Sequence, residues 1–134
     1  MYFIFVALFL FVLPAISVLA EALLSYGSID LMLLIGKWFV FWGVGVRLFI
    51  AGVRQVAQPQ FTAESIFQVK DRGALAIVRE VGFANLSMGA LGLLTLPRPG
   101  FLVAATIVGG LYYGLAGAGH AVRRDKTPAN GRLW

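Results

Sequence analysis

Four long apolar runs, separated by short polar stretches, organise this chain. The runs cover residues 1–24, 31–57, 74–96 and 101–122. As helices with a rise of about 1.5 Å per residue, all four are long enough to cross a hydrocarbon core of about 30 Å. The pattern therefore predicts an all-α polytopic membrane protein, in which residues 1–134 form a single transmembrane domain built as a bundle of about four helices.

The first run has a competing interpretation as a secretory signal peptide. Val18-Leu19-Ala20 would suit a signal peptidase, but no basic residue precedes the apolar stretch. Because signal peptides carry a positive region before their apolar core, we expect an uncleaved helix. Pro14 should kink this helix mildly, a distortion that neighbouring helices can accommodate.

The links between the runs contain turn residues and helix caps. In the first link, residues 25–30, Ser28 or Asp30 can cap the second helix, and residues 97–100 force a tight reversal between the third and fourth helices. The second link includes residues 60–72, where apolar side chains recur at helical spacing. We expect a short amphipathic helix in the membrane interface, capped by Thr62, that either connects two spans or docks a partner.

The composition requires an apolar solvent for much of the surface. Hydrophobic residues make up 60% of the 134 residues and charged residues 13%, whereas soluble domains have about 45–50% and about 25%. The excess must face membrane lipid, the first partner that the sequence predicts. Cysteine is absent and there is one histidine, which excludes thiol chemistry and a multi-histidine metal site within this chain. We expect the chain alone to bind no metal and no cofactor, with lipid, quinone or pigment contact as the remaining options.

The basic residues predict orientation rather than nucleic-acid binding. The formal net charge is +5, but no basic face with interleaved aromatic residues lies outside the apolar runs, so we expect no nucleic-acid partner. Lysine and arginine concentrate in the second link and in a basic tail, residues 123–134, with Arg123, Arg124, Lys126 and Arg132. By the positive-inside rule, both termini lie in the cytoplasm, and the protein belongs to the bacterial cytoplasmic (inner) membrane.

Polar side chains that are rare at membrane depth predict a buried polar cluster. Its members are Arg47, Arg54, Arg79, Glu80, Asn85 and Ser87. A charge at the centre of a membrane helix costs at least about 2.5–3.5 kcal/mol, so it normally faces a partner inside the bundle. The second helix should run toward the cytoplasm and the third helix away from it. Arg47 and Glu80 should therefore lie at similar depths in the membrane and form an ion pair. The pair would either lock the helices in register or contribute to a proton, anion or headgroup site.

Small residues on the third and fourth helices predict close helix packing. They are Gly82, Gly89, Gly92, Gly109, Gly110 and Gly114, of which Gly110 and Gly114 form a GxxxG motif. Such faces let two backbones approach closely, either within the chain or between subunits. Asn85 lies in the centre of the third-helix face, where an interhelical hydrogen bond or contact with a quinone or pigment would account for it.

Three further residues are candidates for ligand contact. Tyr112 and Tyr113 lie deeper than interfacial tyrosines, so their hydroxyl groups need partners, for which Asn85, Glu80 or a bound ligand are the options. His120 lies at the end of the fourth helix, where it would face lipid headgroups or, alternatively, ligate a pigment or metal. No hydrolase triad, paired-carboxylate site, phosphate loop or dinucleotide fingerprint is present, so the sequence identifies no catalytic residue.

Three segments carry a resemblance to a known group of proteins. They are residues 83–89 (FANLSMG), 43–48 (GVGVRL) and 58–64 (QPQFTAE). Through them the chain resembles an uncharacterised small bacterial family of four-helix integral membrane proteins, similar in layout to the DoxX-like group, over residues 34–120. The resemblance implies a helical bundle in the cytoplasmic membrane and no established reaction. Because some DoxX-like proteins are associated with quinone-linked oxidoreductases, it also implies an accessory role.

Two functions remain open. In the first, the protein is a small accessory or structural subunit that docks on a larger respiratory or photosynthetic membrane complex. In the second, it is an autonomous transporter or a quinone- or lipid-linked membrane enzyme with a polar site at Arg47, Glu80 and Asn85. We favour the first and expect no enzymatic activity, because four packed helices in 134 residues leave little room for an enclosed cavity.

Overall fold

The computed structural model describes residues 1–65 and 71–124, in which every regular element is a helix. The helices are α1 (Tyr2–Leu24), α2 (Leu31–Ala57), α3 (Pro59–Ser65), α4 (Arg72–Leu94) and α5 (Leu102–Arg124), with a 3-10 turn at Pro99–Phe101 leading into α5. Four of them, α1, α2, α4 and α5 with its leading turn, are long and apolar enough to cross a membrane. The predicted all-α fold, with four helices able to cross a membrane, is confirmed.

Aspartate side chains define where two of the long helices begin. Asp30 Oδ1 accepts hydrogen bonds from two backbone nitrogens in the first turn of α2, at 3.0 and 3.2 Å. Asp71 Oδ1 accepts one from the backbone nitrogen of Gly73 at 3.1 Å. These carboxylates satisfy N–H groups that a first helical turn leaves without partners. The cap at Asp71 starts α4 at Arg72, earlier than the span expected from residue 74.

The short helix α3 begins earlier than the sequence indicates. Thr62, the expected N-cap, lies inside the helix because the helix already begins at Pro59. The Thr62 residue is 2% exposed. Proline suits the first helical position, where no N–H group is needed. Pro59, Thr62 and Ala63 are buried where α3 contacts α2 and α4. Of the expected interfacial segment, residues 60–72, residues 66–70 lie outside the described part of the chain.

Helix α2 is the centre of the bundle. It contacts α1 on one side and α4 and α5 on others. Its contact with α5 forms an apolar core of buried residues: Val40, Val44, Leu48 and Ala105. Within α1, Pro14 is the one buried residue. Most of the other apolar side chains of α1 are exposed and therefore available to lipid, as expected for a helix at the edge of a membrane bundle.

Two stretches of the long helices widen into π-helical turns, in which hydrogen bonds join residues five apart. One stretch, Leu8–Val12 in α1, ends two residues before Pro14, whose missing N–H removes a regular helical hydrogen bond. The other, Val40–Val46, lies in the part of α2 that contacts α1, α4 and α5. The second stretch changes which backbone carbonyl groups α2 presents to its neighbours.

Helices α2 and α4 are antiparallel and touch backbone to backbone through glycine. A methyl group added at Gly89 would lie 2.5 Å from the backbone nitrogen of Phe49, which is far inside van der Waals contact. The glycines in such contacts are Gly45 and Gly52 on α2 and Gly82, Gly89 and Gly92 on α4. The sequence identifies the α4 glycines as a packing face, but their partners on α2 were missed. Close approach of two backbones replaces side-chain packing here, as in other small-residue interfaces of membrane helices.

The glycine contacts set the positions of α2 and α4 relative to each other along the axis of the bundle. We call the end with the links at residues 25–30 and 95–98 the hairpin end, and the end with α3 the terminal end. A methyl group added at Gly82 would lie 2.9 Å from Gln55 Cβ, close to the terminal end of α2. The residues of α4 that precede Gly82 therefore lie at or beyond the terminal end of α2.

Candidate functional site

Arg47 is held inside the bundle by a tyrosine of α5. Its Nη1 donates a hydrogen bond to the Tyr113 hydroxyl at 2.7 Å, and the guanidinium carbon lies 5.2 Å from the centroid of the same ring. The Tyr113 hydroxyl in turn donates to the backbone carbonyl of Gly43. We call these three residues the Arg47 site. A chain of hydrogen bonds at this site joins α2 to α5.

A widened turn of α2 makes the Gly43 carbonyl available to Tyr113. In a regular α-helix the N–H of Arg47 would bond to that carbonyl, four residues back. Here it bonds to the Trp42 carbonyl instead. Gly43 also faces α1, since a methyl group added to it would lie 3.2 Å from the Leu10 side chain. The Arg47 site therefore lies where α1, α2 and α5 meet.

Arg47 lies well inside the span of α2, and no described carboxylate pairs with its charge. Within α2 it follows Leu31 by sixteen residues and precedes Ala57 by ten. The ion pair found among the described residues joins Lys37 to Glu21 at the hairpin end. Because arginine does not lose its proton in proteins, the charge persists. In the described chain a hydroxyl group and an aromatic ring stabilise it, and neither neutralises it.

The predicted pairing of Arg47 with Glu80 is wrong. Gln55, which packs beside Gly82, lies eight residues after Arg47, or about 12 Å along α2 at about 1.5 Å per residue. Glu80 precedes Gly82 and so lies at the terminal end, where it is exposed. The expectation of equal depth failed because the glycine contacts, rather than the lengths of the apolar runs, set the register of α2 and α4.

The other charged and hydroxyl residues of the predicted cluster are also separated. Arg54 is exposed, and its guanidinium carbon lies 5.2 Å from the ring centroid of Phe61. Arg79 is exposed and lines an open cavity of about 420 Å³ between α3 and the start of α4. Ser87 is exposed and donates to the carbonyl of Phe83 in its own helix at 2.9 Å. A single buried cluster does not form, because these side chains lie at different heights and on different faces.

Asn85 is a buried amide at the contact between α2 and α4, with 2% exposure. Its Nδ2 donates an interhelical hydrogen bond to Gln55 Oε1 at 2.7 Å. Its Oδ1 is buried without a hydrogen-bond partner in the described part of the chain. A buried amide disfavours other helix registers, which would leave more of its polar atoms unsatisfied. The sequence could have indicated Gln55 as the partner, because it follows Gly52 by three residues and shares its face.

The α5 residues predicted to contact ligands have different surroundings. Tyr112 packs against the apolar core, with its ring centroid 5.5 Å from that of Tyr113. His120 is exposed. The Tyr113 hydroxyl pairs with Arg47 rather than with either of the two side chains proposed from the sequence, Asn85 and Glu80. Of these residues, Tyr113 therefore belongs to a polar site, and its partner is on α2.

The glycines of α5 divide into two groups. A methyl group added at Gly109 would overlap the side chain of Val44, so Gly109 packs directly on α2. Methyl groups added at Gly110 and Gly114 would have nothing within 4 Å. The GxxxG motif of α5 is therefore unused for packing within the described chain, which leaves packing between subunits as the remaining alternative for these two glycines.

A second polar cluster, at the hairpin end, was missed in the sequence. Glu21 accepts hydrogen bonds from Lys37 Nζ at both oxygens, each at 2.9 Å, and from Trp38 Nε1 at 2.6 Å. Nearer the bundle centre, Trp42 Nε1 donates to Ser17 Oγ at 2.9 Å. These bonds tie α1 to α2. The signal for them was the spacing of Ser17 and Glu21, which are four residues apart and so lie on one face of α1.

The described residues contain no group of three or more histidine, aspartate or glutamate residues that could hold a metal ion. The fold and its hydropathy define a class, the small all-helical proteins with four helices able to cross a membrane. The chain belongs to a family of unknown function (DUF6790), whose model matches residues 2–130. No curated protein and no solved structure matches the chain. The family assignment agrees with the expectation of an uncharacterised family, and it assigns no reaction.

Proposed function

We propose that this protein is a small accessory subunit that docks on a larger membrane complex through α5. The observation that carries the proposal is a contrast between its glycines. Gly45 and Gly52 of α2 and Gly82, Gly89 and Gly92 of α4 lie against the backbone of the other helix, whereas Gly110, Gly114 and Gly117 of α5 have nothing within 4 Å of an added methyl group. These three recur at intervals of four and three residues and so lie on one side of the helix. We call them the α5 glycine face.

The cost of glycine in a helix supports a packing role for this face. Glycine in a helix interior is about 1 kcal/mol less favourable than alanine. Between α2 and α4 the close approach of two backbones offsets that cost. At the α5 glycine face a helix from another subunit would offset it in the same way. Every residue from 114 to 122 is exposed, so a partner helix has a long uncovered stretch of α5 to contact.

The alternative function, an autonomous transporter or membrane enzyme, is less well supported. It requires Arg47, Glu80 and Asn85 to share one polar site. Arg47 instead bonds to Tyr113, Asn85 bonds to Gln55, and Glu80 is exposed at the terminal end. The residues that would have to cooperate are therefore held apart by the fold.

The partner that we propose is a respiratory or photosynthetic complex in the cytoplasmic membrane of a bacterium. Support comes from the resemblance of residues 83–89, 43–48 and 58–64 to a family similar in layout to the DoxX-like group. Some members of that group are associated with quinone-linked oxidoreductases. Contact of α5 with lipid, quinone or pigment inside such a complex is part of the same proposal.

Orientation in the membrane gives a first test, because arginine concentrates at the terminal end. Described arginines at this end are Arg54, Arg72 and Arg79. Since basic residues are retained on the cytoplasmic side, reporter fusions at Gly27 and Pro99 should report the periplasm. Fusions at Pro59 and after Trp134 should report the cytoplasm. A periplasmic signal after Trp134 together with a cytoplasmic signal at Pro59 would contradict the two crossings expected between these positions.

Docking through the α5 glycine face gives a second test. The tagged protein, produced at natural levels in its own host and extracted in a mild detergent, should migrate in an assembly larger than the free protein. The Gly110→Leu variant should fold, because the position opens onto empty space. The ratio of assembled to free protein should nevertheless fall about tenfold, because overpacking a close helix contact costs about 1–3 kcal/mol. Native electrophoresis followed by detection of the tag measures both.

The matched control is Ala104→Leu, which adds apolar bulk at another exposed position of α5. Ala104 lies six residues before Gly110, about 120° away around the helix at about 100° per residue. This variant should stay in the assembly. Equal loss from both variants would contradict docking through the glycine face. An assembly that contains this chain alone would replace the accessory role with self-association.

A further inference from the structure

Arg47 carries its charge at a depth where charge is costly, and the fold holds the side chain there. A long basic side chain near the end of a membrane helix can reach the interface and so escape this cost. Arg47 is instead bonded to the Tyr113 hydroxyl, and its guanidinium carbon lies 5.2 Å from the centroid of that ring. The Gly43 carbonyl fixes the hydroxyl in turn. The charge is therefore positioned by three groups that cannot neutralise it.

The guanidinium retains further hydrogen-bonding capacity. Arginine has five N–H donors, and the Tyr113 hydroxyl accepts from Nη1. The Arg47 side chain is half-buried, so part of it reaches the outer surface of the bundle. Charged side chains within membrane spans normally pair with one another. The partner that the described residues do not supply is therefore a hydrogen-bond acceptor with a negative charge.

The described part of this chain supplies no carboxylate at the required depth. Glu21 and Asp30 lie at the hairpin end, and Glu64, Asp71 and Glu80 lie at the terminal end. A symmetric second copy would bring the same carboxylates to the two ends of the bundle, because both copies share one distribution of charge. Self-association through the described residues would therefore leave Arg47 in the same state.

We propose that Arg47 binds a carboxylate on a transmembrane helix of the partner subunit. This inference rests on the proposed accessory function and specifies the chemistry of the partner. A lipid phosphate lies at the membrane surface, about 15 Å from the centre of a core about 30 Å thick. A quinone carbonyl lies deep enough but has no charge. An aspartate or glutamate side chain matches the guanidinium in charge, in depth and in its two-oxygen geometry.

The α5 glycine face places such a helix beside Arg47. Gly110, Tyr113 and Gly117 are separated by three and four residues, so they lie on the same side of α5. Methyl groups added at the two glycines would meet nothing within 4 Å. A helix that packs along this face would cross the position of Tyr113, whose hydroxyl contacts Arg47. One docking mode therefore uses the glycines for close approach and the arginine for charge pairing.

A synthetic transmembrane peptide can stand in for the partner helix and so test the proposal. The probe is a leucine-rich helix with one glutamate at its centre, and the matched probe carries glutamine there. Both are titrated against labelled full-length protein in phosphatidylcholine vesicles, with energy transfer as the measure of association. The glutamate probe should bind about tenfold more tightly than the glutamine probe, because only the glutamate carboxylate can form a charge pair with Arg47.

Two variants assign the preference to the correct arginine. Arg47→Gln should abolish the preference for glutamate, so that both probes bind equally. Arg54→Gln removes an exposed arginine two helical turns away on α2 and should retain the preference. A third probe, with glutamate near its end, should bind no better than the glutamine probe, because its carboxylate lies at the wrong depth.

Equal binding of the glutamate and glutamine probes to the wild-type protein would overturn the proposal, even if Arg47→Gln failed to fold. Loss of the preference when phosphatidylglycerol is added would overturn it in favour of a lipid headgroup site. If Gly110→Leu loses assembly while the glutamate and glutamine probes bind equally, the accessory role is retained and a carboxylate partner for Arg47 is rejected. A glutamate preference without any native assembly would keep the carboxylate site and reject the accessory role.

Discussion

Replacing Gly89 with alanine should lower the free energy of unfolding by about 1–3 kcal/mol or more. The added methyl group would lie 2.5 Å from the backbone nitrogen of Phe49 and 2.7 Å from its Cα. Both atoms belong to the backbone of α2, so no side-chain rotation can relieve the overlap. The two helices must separate along their contact, which also weakens packing at neighbouring glycines. Unfolding in mixed micelles with increasing dodecyl sulfate, followed by circular dichroism, measures the loss.

Gly110→Ala is the matched control for this prediction. It makes the same chemical change in another long helix, but the added methyl group meets nothing within 4 Å. Because alanine favours a helix more than glycine does, the control should be neutral or slightly stabilising. Equal destabilisation of the two variants would show that α2 and α4 do not touch backbone to backbone.

Tyr113→Phe should lower the free energy of unfolding by about 1–3 kcal/mol, the usual cost of leaving a buried polar group without its partner. The hydroxyl accepts from Arg47 Nη1 and donates to the Gly43 carbonyl, so one deletion leaves two groups unsatisfied. The Arg47 guanidinium and the Gly43 carbonyl both lie in the membrane-spanning region, where water does not replace the lost hydrogen bonds. The same titration with dodecyl sulfate measures the effect.

The neighbouring tyrosine offers a control with the same change of atoms. Tyr112 packs against the apolar core, and its hydroxyl forms no hydrogen bond within the described chain. Tyr112→Phe should therefore change the stability by less than about 0.5 kcal/mol. Equal effects of the two substitutions would mean that the hydroxyl of Tyr113 does not hold Arg47 in place.

The prediction of helices from the sequence succeeded where it depended on local physics. An apolar run of sufficient length can satisfy its backbone in a membrane as a helix, whatever surrounds it. Asp30 was recognised as a candidate cap and does cap α2. Boundaries were less accurate where capping was overlooked, as at Asp71, or where proline began a helix earlier than expected, as at Pro59.

The candidate site was recovered in part. The sequence identified Arg47, Asn85, Tyr113 and the glycines of the third span as unusual, because polar and small residues are conspicuous in apolar helices. It assigned Arg47 the wrong partner and overlooked Gln55. The partners were not predictable because each depends on contacts between residues far apart in the chain, such as the 66 positions that separate Arg47 from Tyr113.

The sequence by itself determined that lipid surrounds the apolar helices, how many such helices there are and which polar or charged residues need a partner. It could do so because hydropathy and helix length act locally along the chain. The tertiary structure alone decided the partners, through the register in which α2 and α4 meet. That register follows from glycine contacts such as Gly45 with Gly92 and Gly52 with Gly82, where two backbones fit at one relative height. It carries Glu80 to the terminal end and leaves Arg47 inside the bundle beside Tyr113. A hydrophobic pattern cannot specify such a height, since sliding one apolar helix along another changes the pattern of burial very little.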